Sequence, residues 1–278
     1  MDSRKADDQF YGFSFMEAME QVVFNGHTGN HSVQVIDKNG LRILKFGTEE
    51  QQTCLDLAEP WVLQLTYTQW MAMASLLHPD PTRFLIAGLG GGAIPHFLLH
   101  FFPHARIDVV EKEQLVIDVA HDCFDLPRHG RLRIFCQDVL TFLSVHPTSS
   151  YDVIFLDIFD PGAMAPALFE PRLYHALLAR LDSRGVLAVN LWSGHKKMYQ
   201  QALQTITAAS RGQLLKVQEH QHTNIILLVF PDSIPFAAIK QALKRSKEYQ
   251  QRYNLDAPRF LKRLRRTNPL PILRSLLG

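Results

Sequence analysis

The sequence predicts an α/β fold with a doubly wound, mostly parallel sheet of seven strands and a small N-terminal β-hairpin unit. From Thr82 onward, short apolar runs alternate with helical stretches, which is the order of a sheet with crossover helices. Several runs are continuously apolar, as expected of strands that helices cover on both faces. The last two runs are joined only by residues 220–223. Because this join is too short for a parallel crossover, we expect an antiparallel pair at the sheet edge.

The N-terminal hairpin is predicted for residues 31–47, where polar and apolar residues alternate around Asn39 and Gly40. This dipeptide accepts the positive φ angles of a tight hairpin turn. Val35 is expected to share one face with Ile43 on the returning strand. Residues 48–53 are expected to form a polar connection.

A long helix is predicted for residues 61–77, which are rich in helix formers and contain no Gly or Pro. His78 and Pro79 end it, because proline restricts the residue before it. We therefore divide the chain into an N-terminal hairpin unit with its linking helix (1–78), a Rossmann-like domain (79–235) and a basic C-terminal helix and arm (236–278).

The elements of the main domain follow from the same alternation. Strands are predicted for residues 84–88, 107–110, 132–136, 153–156, 186–191, 214–218 and 224–230, and helices for residues 93–101, 113–121, 139–145, 171–181 and 195–209. An antiparallel hairpin that finishes a parallel sheet favours the class I AdoMet-dependent methyltransferase-like Rossmann fold over a dinucleotide dehydrogenase.

Composition points to a globular protein without membrane spans. Of the 278 residues, 46% are hydrophobic and 20% are charged, and no apolar run reaches the roughly 18 residues of a membrane helix. The charged N-terminus lacks signal-peptide features, so we expect a cytoplasmic location. Three cysteines without ligand-like spacing predict neither a disulfide framework nor a zinc site, and none of the thirteen histidines pairs with an acid at metal-ligand spacing. We expect no metal.

A glycine loop follows the first strand of the main domain and contains Gly88, Gly90, Gly91 and Gly92. Glycines let a backbone approach a ligand closely, and Glu111, at the end of the next strand, can accept hydrogen bonds from ribose hydroxyls. The pattern indicates a nucleoside site. The alternative is a tight strand-to-helix turn that binds nothing.

Acidic residues follow three strands of the predicted sheet: Glu111, Asp138, and the pair Asp157 and Asp160. The carboxyl ends of parallel strands meet at one edge, where ligands bind. Four acids there suit a cationic nucleoside, with Glu111 for ribose, Asp138 for an adenine amino group and Asp157 near a sulfonium or amine. The alternatives are an exposed strand-end acid for Glu111, a helix N-cap for Asp138 and a strand terminator for Asp157.

The segment YDVIFLDIFDPGAMAPALFEPRLY, residues 151–174, resembles the fourth-strand motif of the spermidine synthase (polyamine aminopropyltransferase) family. The matching residues are Asp157, Asp160, Pro161, Gly162, Pro166, Leu168, Phe169 and Tyr174. The resemblance covers about residues 31–231. It includes the glycine loop, Glu111, Asp138, and the stretch 47–53 with Gln51 and Thr53.

The resemblance implies a transferase of polyamine biosynthesis that moves an aminopropyl group from decarboxylated S-adenosylmethionine (AdoMet) to an amine acceptor. The glycine loop, Glu111, Asp138, Asp157 and Gln51 would bind the donor. Asp160 would receive the attacking amine, which must lose a proton before it is a nucleophile. Residues 162–167 would be a mobile lid over the amine or, alternatively, an ordinary surface loop.

Departures from the family pattern keep two other functions open. Gly91 stands where the family's glycine loop usually carries Asp, and Phe159 stands where a small residue is common. An AdoMet-dependent methyltransferase on the same fold is therefore the first alternative. A non-catalytic nucleoside-binding or assembly protein is the second. The stretch 190–193 is expected to border the acceptor pocket.

The C-terminal segment is strongly basic. Residues 240–278 carry eleven Lys or Arg and two acids, a charge of +9 that leaves −7 for the rest of the chain, because the total is +2. Such a segment could hold nucleic acid phosphates or anionic lipid. We favour a terminal helix over residues 239–253 with a solvated basic face, followed by an arm on the body or on a second subunit of a homodimer.

Overall fold

The N-terminal segment forms a four-stranded antiparallel sheet in the computed structural model, which describes residues 20–29, 31–146, 150–160, 163–218 and 223–268. Its strands are β1 (Gln21–Thr28), β2 (His31–Lys38), β3 (Leu41–Lys45) and β4 (Gln51–Leu55), paired in that order. Asn39 and Gly40 form the predicted turn, with φ angles of 55° and 76°. The predicted hairpin is confirmed, but it is the centre of a larger sheet.

Two N-terminal expectations are wrong. The two-residue turn pairs Ile36 with Ile43 and Val35 with Leu44, so Ile43 lies on the face opposite Val35. Residues 51–53 are not a loop but belong to β4, because their backbone pairs with β3 although their side chains are polar. The sheet therefore buries apolar residues on both faces.

The helix predicted for residues 61–77 is shorter than expected. Helix α1 spans Thr66–Ala72, and a 3₁₀ turn at Met73–Leu76 follows it. The Trp61 ring stacks on that of His100, with 4.3 Å between the centroids. This tertiary contact, together with a hydrogen bond from Gln69 Nε2 to the Leu63 carbonyl oxygen at 2.7 Å, stabilises a non-helical path over residues 61–65.

The main domain contains the predicted seven-stranded sheet. Its seven strands are β5 (Arg83–Ala87), β6 (Arg106–Glu111), β7 (Leu132–Cys136), β8 (Tyr151–Leu156), β11 (Leu181–Trp192), β12 (Leu214–Gln218) and β13 (Asn224–Val229). Between β8 and β11 the chain forms a separate short pair, β9 (Phe159–Asp160) and β10 (Ala163–Met164). The sheet order is β12-β13-β11-β8-β5-β6-β7. All pairs are parallel except those of β13, which runs antiparallel to β11 and β12. The predicted antiparallel edge is confirmed.

Helices cover both faces of this sheet. They are α2 (Ala93–Phe101), α3 (Gln114–Asp122), α4 (Val139–Val145), α5 (Pro171–Leu178) and α6 (Lys196–Ala209). All six residues of β8 are buried, which explains why this strand reads as a continuous apolar run. A strand packed on both faces holds the residues that follow it, Asp157 to Asp160, at a defined place on the sheet edge.

The C-terminal region consists of α7 (Phe236–Lys244), α8 (Ser246–Tyr253) and α9 (Ala257–Thr267). The single helix predicted for 239–253 is wrong, because the backbone leaves the helical path at Arg245 (φ −96°, ψ 9°). Helix α9 packs its apolar face on the body and lies along β12. The proline-rich end, residues 269–278, lies outside the described residues. Our domain boundaries at residues 78 and 235 stay a prediction.

No helix within the described ranges is long and apolar enough to cross a membrane.

Candidate active site

A cleft of about 450 Å³ opens at the carboxyl ends of the parallel strands. Its floor is the loop after β5, where Gly88 has a φ of 94° and donates from its backbone nitrogen to the Val110 carbonyl oxygen at 2.9 Å. A Cβ at Gly88 would lie 2.0 Å from the carbonyl oxygen of Asp157. Only glycine therefore lets β5 and β8 end side by side at the cleft.

The four loop glycines do not contribute equally to the cleft. Gly88 and Gly90 line it, whereas Gly91 and Gly92 pack behind the loop. The Gly91 nitrogen donates to Thr53 Oγ1 at 2.8 Å. This bond ties the loop to β4 and so to the N-terminal sheet.

Glu111 lies where the sequence predicted it, at the end of β6 and in the wall of the cleft. Its carboxylate accepts hydrogen bonds from the backbone nitrogens of Leu89 at 3.0 Å and Glu113 at 3.1 Å. Burial raises the pKa of Glu111, although these backbone bonds act to lower it. The carboxylate both holds the glycine loop and faces the cleft.

Asp138 also lines the cleft and is the N-cap of α4. Its Oδ1 accepts from the backbone nitrogens of Leu140 at 2.8 Å and Thr141 at 3.2 Å. The capping role that we left open is therefore present. It does not exclude a ligand contact, because both capping bonds go to the same oxygen.

Asp157 follows β8 and is the most strongly perturbed acid of the cleft. Its Oδ1 accepts from Asn190 Nδ2 at 2.9 Å, and the Asn190 side-chain oxygen accepts from Asn224 Nδ2 at 3.1 Å. Burial raises the pKa of Asp157 to about 6, although Asn190 and Tyr67 act to lower it. A carboxylate with this pKa is ionised at neutral pH and can attract a cation at low solvent exposure.

Asp160, in β9, forms an ion pair with Lys112, with 2.6 Å between Oδ1 and Nζ. Nothing in the sequence pattern singles out this lysine. Its position directly after Glu111 was the only available signal, because the two partners are 48 positions apart. The carboxylate predicted to receive an amine is thus already in contact with an ammonium group.

A second cavity, of about 240 Å³, adjoins the cleft. Both cavities are lined by Gln52, Tyr67, Asp157, Phe159 and Asp160. Gln51, predicted to contact the donor, lines the second cavity and not the first, as do Asn190 and Trp192.

Tyr67 stands at the junction of the two cavities. Its hydroxyl donates to the Gln52 carbonyl oxygen at 2.9 Å. Burial, followed by the charge of Asp157, raises the pKa of Tyr67 well above its usual value. The hydroxyl therefore stays protonated beside the carboxylate.

The family model of the spermine/spermidine synthase domain matches residues 65–219, more than half of the chain. The chain belongs to this family. The polyamine aminopropyltransferase of Chromobacterium violaceum is 29% identical to it over 237 residues, which are 85% of this chain and 90% of that protein. Polyamine aminopropyltransferases are transferases, and the family is enzymatic.

Solved structures confirm the fold of this family member. The spermidine synthase of Thermotoga maritima has a TM-score of 0.67 at 16% identity and covers 92% of this chain and 87% of that chain. Human methyltransferase-like protein 13, solved in complex with SAH, has a TM-score of 0.52 at 23% identity, covering 73% of this chain and 90% of that chain. Both likenesses concern the fold alone.

Within the described residues, no group of three or more His, Cys, Asp or Glu side chains has the arrangement of a metal site.

Proposed function

We propose that this chain transfers an aminopropyl group from decarboxylated AdoMet to an amine acceptor. One observation carries the proposal. Asp157 and Asp160 line both the large cleft and the adjoining cavity, so two carboxylates stand where a cationic donor and a cationic acceptor would meet. Family membership supports aminopropyl transfer at the level of the reaction class.

In this proposal the cleft binds the donor. Gly88 and Gly90 give the nucleoside close access to the loop backbone, and Gly91 and Gly92 shape that loop from behind. Glu111 accepts from the ribose hydroxyls, Asp138 from the adenine amino group, and Asp157 attracts the cationic end of the donor. Gln51 would act from the acceptor side, since it lines the second cavity.

The transfer needs little acid catalysis, because a sulfonium is already a good leaving group. The acceptor nitrogen attacks the aminopropyl carbon bonded to sulfur, a C–N bond forms, and the C–S bond breaks to leave methylthioadenosine. Asp160 attracts the acceptor ammonium and takes the proton that the nitrogen must lose. The rest of the catalysis is alignment of donor and acceptor in the joined cavities.

A specific observation favours an AdoMet-dependent methyltransferase as the second candidate. At Gly91, where the family usually has Asp, a Cβ would lie 2.8 Å from Thr53 Cγ2 and 3.0 Å from the Phe124 ring. The loop therefore has neither the carboxylate nor the space for it, and it provides one charge fewer for the amine of a decarboxylated donor.

Calorimetry with decarboxylated AdoMet, AdoMet and methylthioadenosine tests these alternatives. Binding of AdoMet alone would reject aminopropyl transfer. Binding of none of the three would reject both enzyme functions and leave a non-catalytic assembly role. For the first candidate, Asp160→Asn should abolish turnover and largely preserve methylthioadenosine binding, and an unchanged rate would contradict the role of Asp160.

We also propose a cytoplasmic homodimer without a metal. The edge strand β1 exposes Val22 and Val23, at 55% and 39%, and a second copy could bury them. Sedimentation of wild type and of Val22→Lys would test this, since the charged variant should shift the equilibrium toward monomer. Packing of α9 on the body supports a structural role for the basic segment over nucleic acid binding.

A further inference from the structure

The ion pair between Lys112 and Asp160 joins two segments that both line the cleft. Lys112 follows the last residue of β6, and Asp160 ends β9. The side chains are 48% and 32% exposed, and both residues line the cleft. The pair therefore lies at the surface of the site and not in the core.

The chemistry of this pair matches that of the proposed acceptor. An alkylammonium ion binds a carboxylate through N–H donors, and Lys112 presents the same group on a flexible stem. With its Nζ 2.6 Å from Asp160 Oδ1, the lysine occupies one of the two oxygens at which an acceptor ammonium would bind. An acceptor at this carboxylate would therefore meet the repulsion of a second cation.

The charges of two further carboxylates, those of Glu111 and Glu113, also act on Lys112. Burial acts to lower the pKa of Lys112. The contact with Asp160 and the charges of Glu113 and Glu111 act in the opposite direction and prevail, so the pKa of Lys112 is raised. Both glutamates thus act electrostatically on the ammonium in addition to Asp160.

We propose that Lys112 is a specificity-determining residue, an internal cation that occupies one oxygen of Asp160 and opposes the binding of an acceptor ammonium to that carboxylate. The inference rests on the proposed function, because it takes Asp160 as the acceptor carboxylate. Removal of Lys112 would add one net negative charge at the junction of the cavities. Because Coulomb attraction scales with charge, an acceptor with two ammonium groups should benefit more than one with a single group.

The test is calorimetric binding of 1,4-diaminobutane and of butylamine to the full chain saturated with methylthioadenosine. Since exposed ion pairs contribute little, Lys112→Met should bind the diamine about two- to fivefold more tightly than wild type. The gain for butylamine should be smaller. Lys112→Arg keeps the charge and should bind like wild type.

A matched control removes a lysine from another surface pair. Lys38 lies 3.3 Å from Glu20 and does not line either cavity, so Lys38→Met should leave diamine binding unchanged. Methylthioadenosine affinity shows that each variant is folded.

Three results would overturn the inference: unchanged or weaker diamine binding by Lys112→Met, no detectable binding by that variant, or an equal gain in Lys112→Arg. These results are distinct from a failure of the proposed function. Tighter binding without turnover of any amine would reject aminopropyl transfer and keep the inference. Turnover of an amine by wild type, together with an unaltered diamine affinity in Lys112→Met, would keep the proposed function and reject the inference.

Discussion

Asn190 donates from Nδ2 to Oδ1 of Asp157 at 2.9 Å, and this bond connects the end of β8 to the neighbouring strand β11. Asn224 of β13 holds the Asn190 side chain in turn, at 3.1 Å. Three strands thus orient one carboxylate that burial brings to a pKa of about 6. Asp157 is fixed in place, and its pKa of about 6 lies above the usual range of an aspartate.

The first prediction is a pH dependence of donor binding. Asp157 is charged above a pH of about 6 and neutral below it, so affinity for a sulfonium donor should fall by up to about tenfold for each pH unit below 6. Calorimetry with AdoMet or decarboxylated AdoMet between pH 5 and 8 measures this. Asp157→Asn should bind more weakly at pH 8 with a flatter pH profile. A variant with the profile of wild type would contradict the assignment.

The second prediction concerns the packing behind the glycine loop. Gly91 is not among the glycines with a positive φ. A larger residue at this position is therefore restricted by space and not by backbone conformation. A Cβ there would meet Thr53 Cγ2 at 2.8 Å and Phe124 at 3.0 Å. Gly91→Ala should lower the free energy of unfolding by about 1–3 kcal/mol in urea denaturation, and Gly91→Asp should not create a functional donor-binding carboxylate.

Two further variants show whether Thr53 is responsible. Thr53→Ser removes Cγ2 but keeps the hydroxyl that accepts from the Gly91 nitrogen at 2.8 Å. In this background Gly91→Ala should cost less than in wild type, and an equal cost would refute the clash with Cγ2. Gly130→Ala is the matched control, because no atom beyond its chain neighbours lies within 4 Å of its Cβ position.

The third prediction separates the two roles of Asp138. Asparagine caps helices as well as aspartate does, so Asp138→Asn should retain stability, whereas Asp138→Ala should lose about 1 kcal/mol. If the carboxylate also accepts from an adenine amino group, both variants should bind methylthioadenosine more weakly. Equal affinity of wild type and Asp138→Asn would mean that the residue is a cap alone.

The positions of the strand-end acids could be predicted because the carboxyl ends of parallel strands share one edge. Glu111, Asp138, Asp157 and Asp160 all line the cleft for this reason. The reaction class could be predicted from the family-specific segment around Asp160, because the residues of that segment are contiguous in the chain.

The contacts between distant segments could not be predicted. The stacking of Trp61 on His100 interrupts a segment with high helix propensity, and local pattern contains no information about it. The same applies to Lys112, because its contact with Asp160 joins residues 48 positions apart and forms only when the ends of β6 and β8 meet at one edge of the sheet. Position along the chain identified the acids but not the cation that neutralises one of them.

The fourth prediction tests whether the basic C-terminal helix is part of the body. Asn268, just after α9, accepts from the Lys216 nitrogen at 2.9 Å and donates to the Lys216 carbonyl oxygen at 2.8 Å. It thereby satisfies both backbone groups of one residue in the edge strand β12. Asn268→Ala leaves them without these partners and should lower the free energy of unfolding by about 1–3 kcal/mol.

Lys262→Gln provides the control for this variant, because Lys262 is exposed on the same helix. It should change the unfolding midpoint in urea by little, since isolated surface charges contribute weakly. If α9 were a detachable arm for nucleic acid, Asn268→Ala would leave the urea midpoint unchanged. Lys262→Gln would instead weaken DNA binding and reduce its salt dependence. The pairing of Asn268 with Lys216 predicts the opposite pattern, because a helix that completes the hydrogen bonding of an edge strand must unfold together with the sheet.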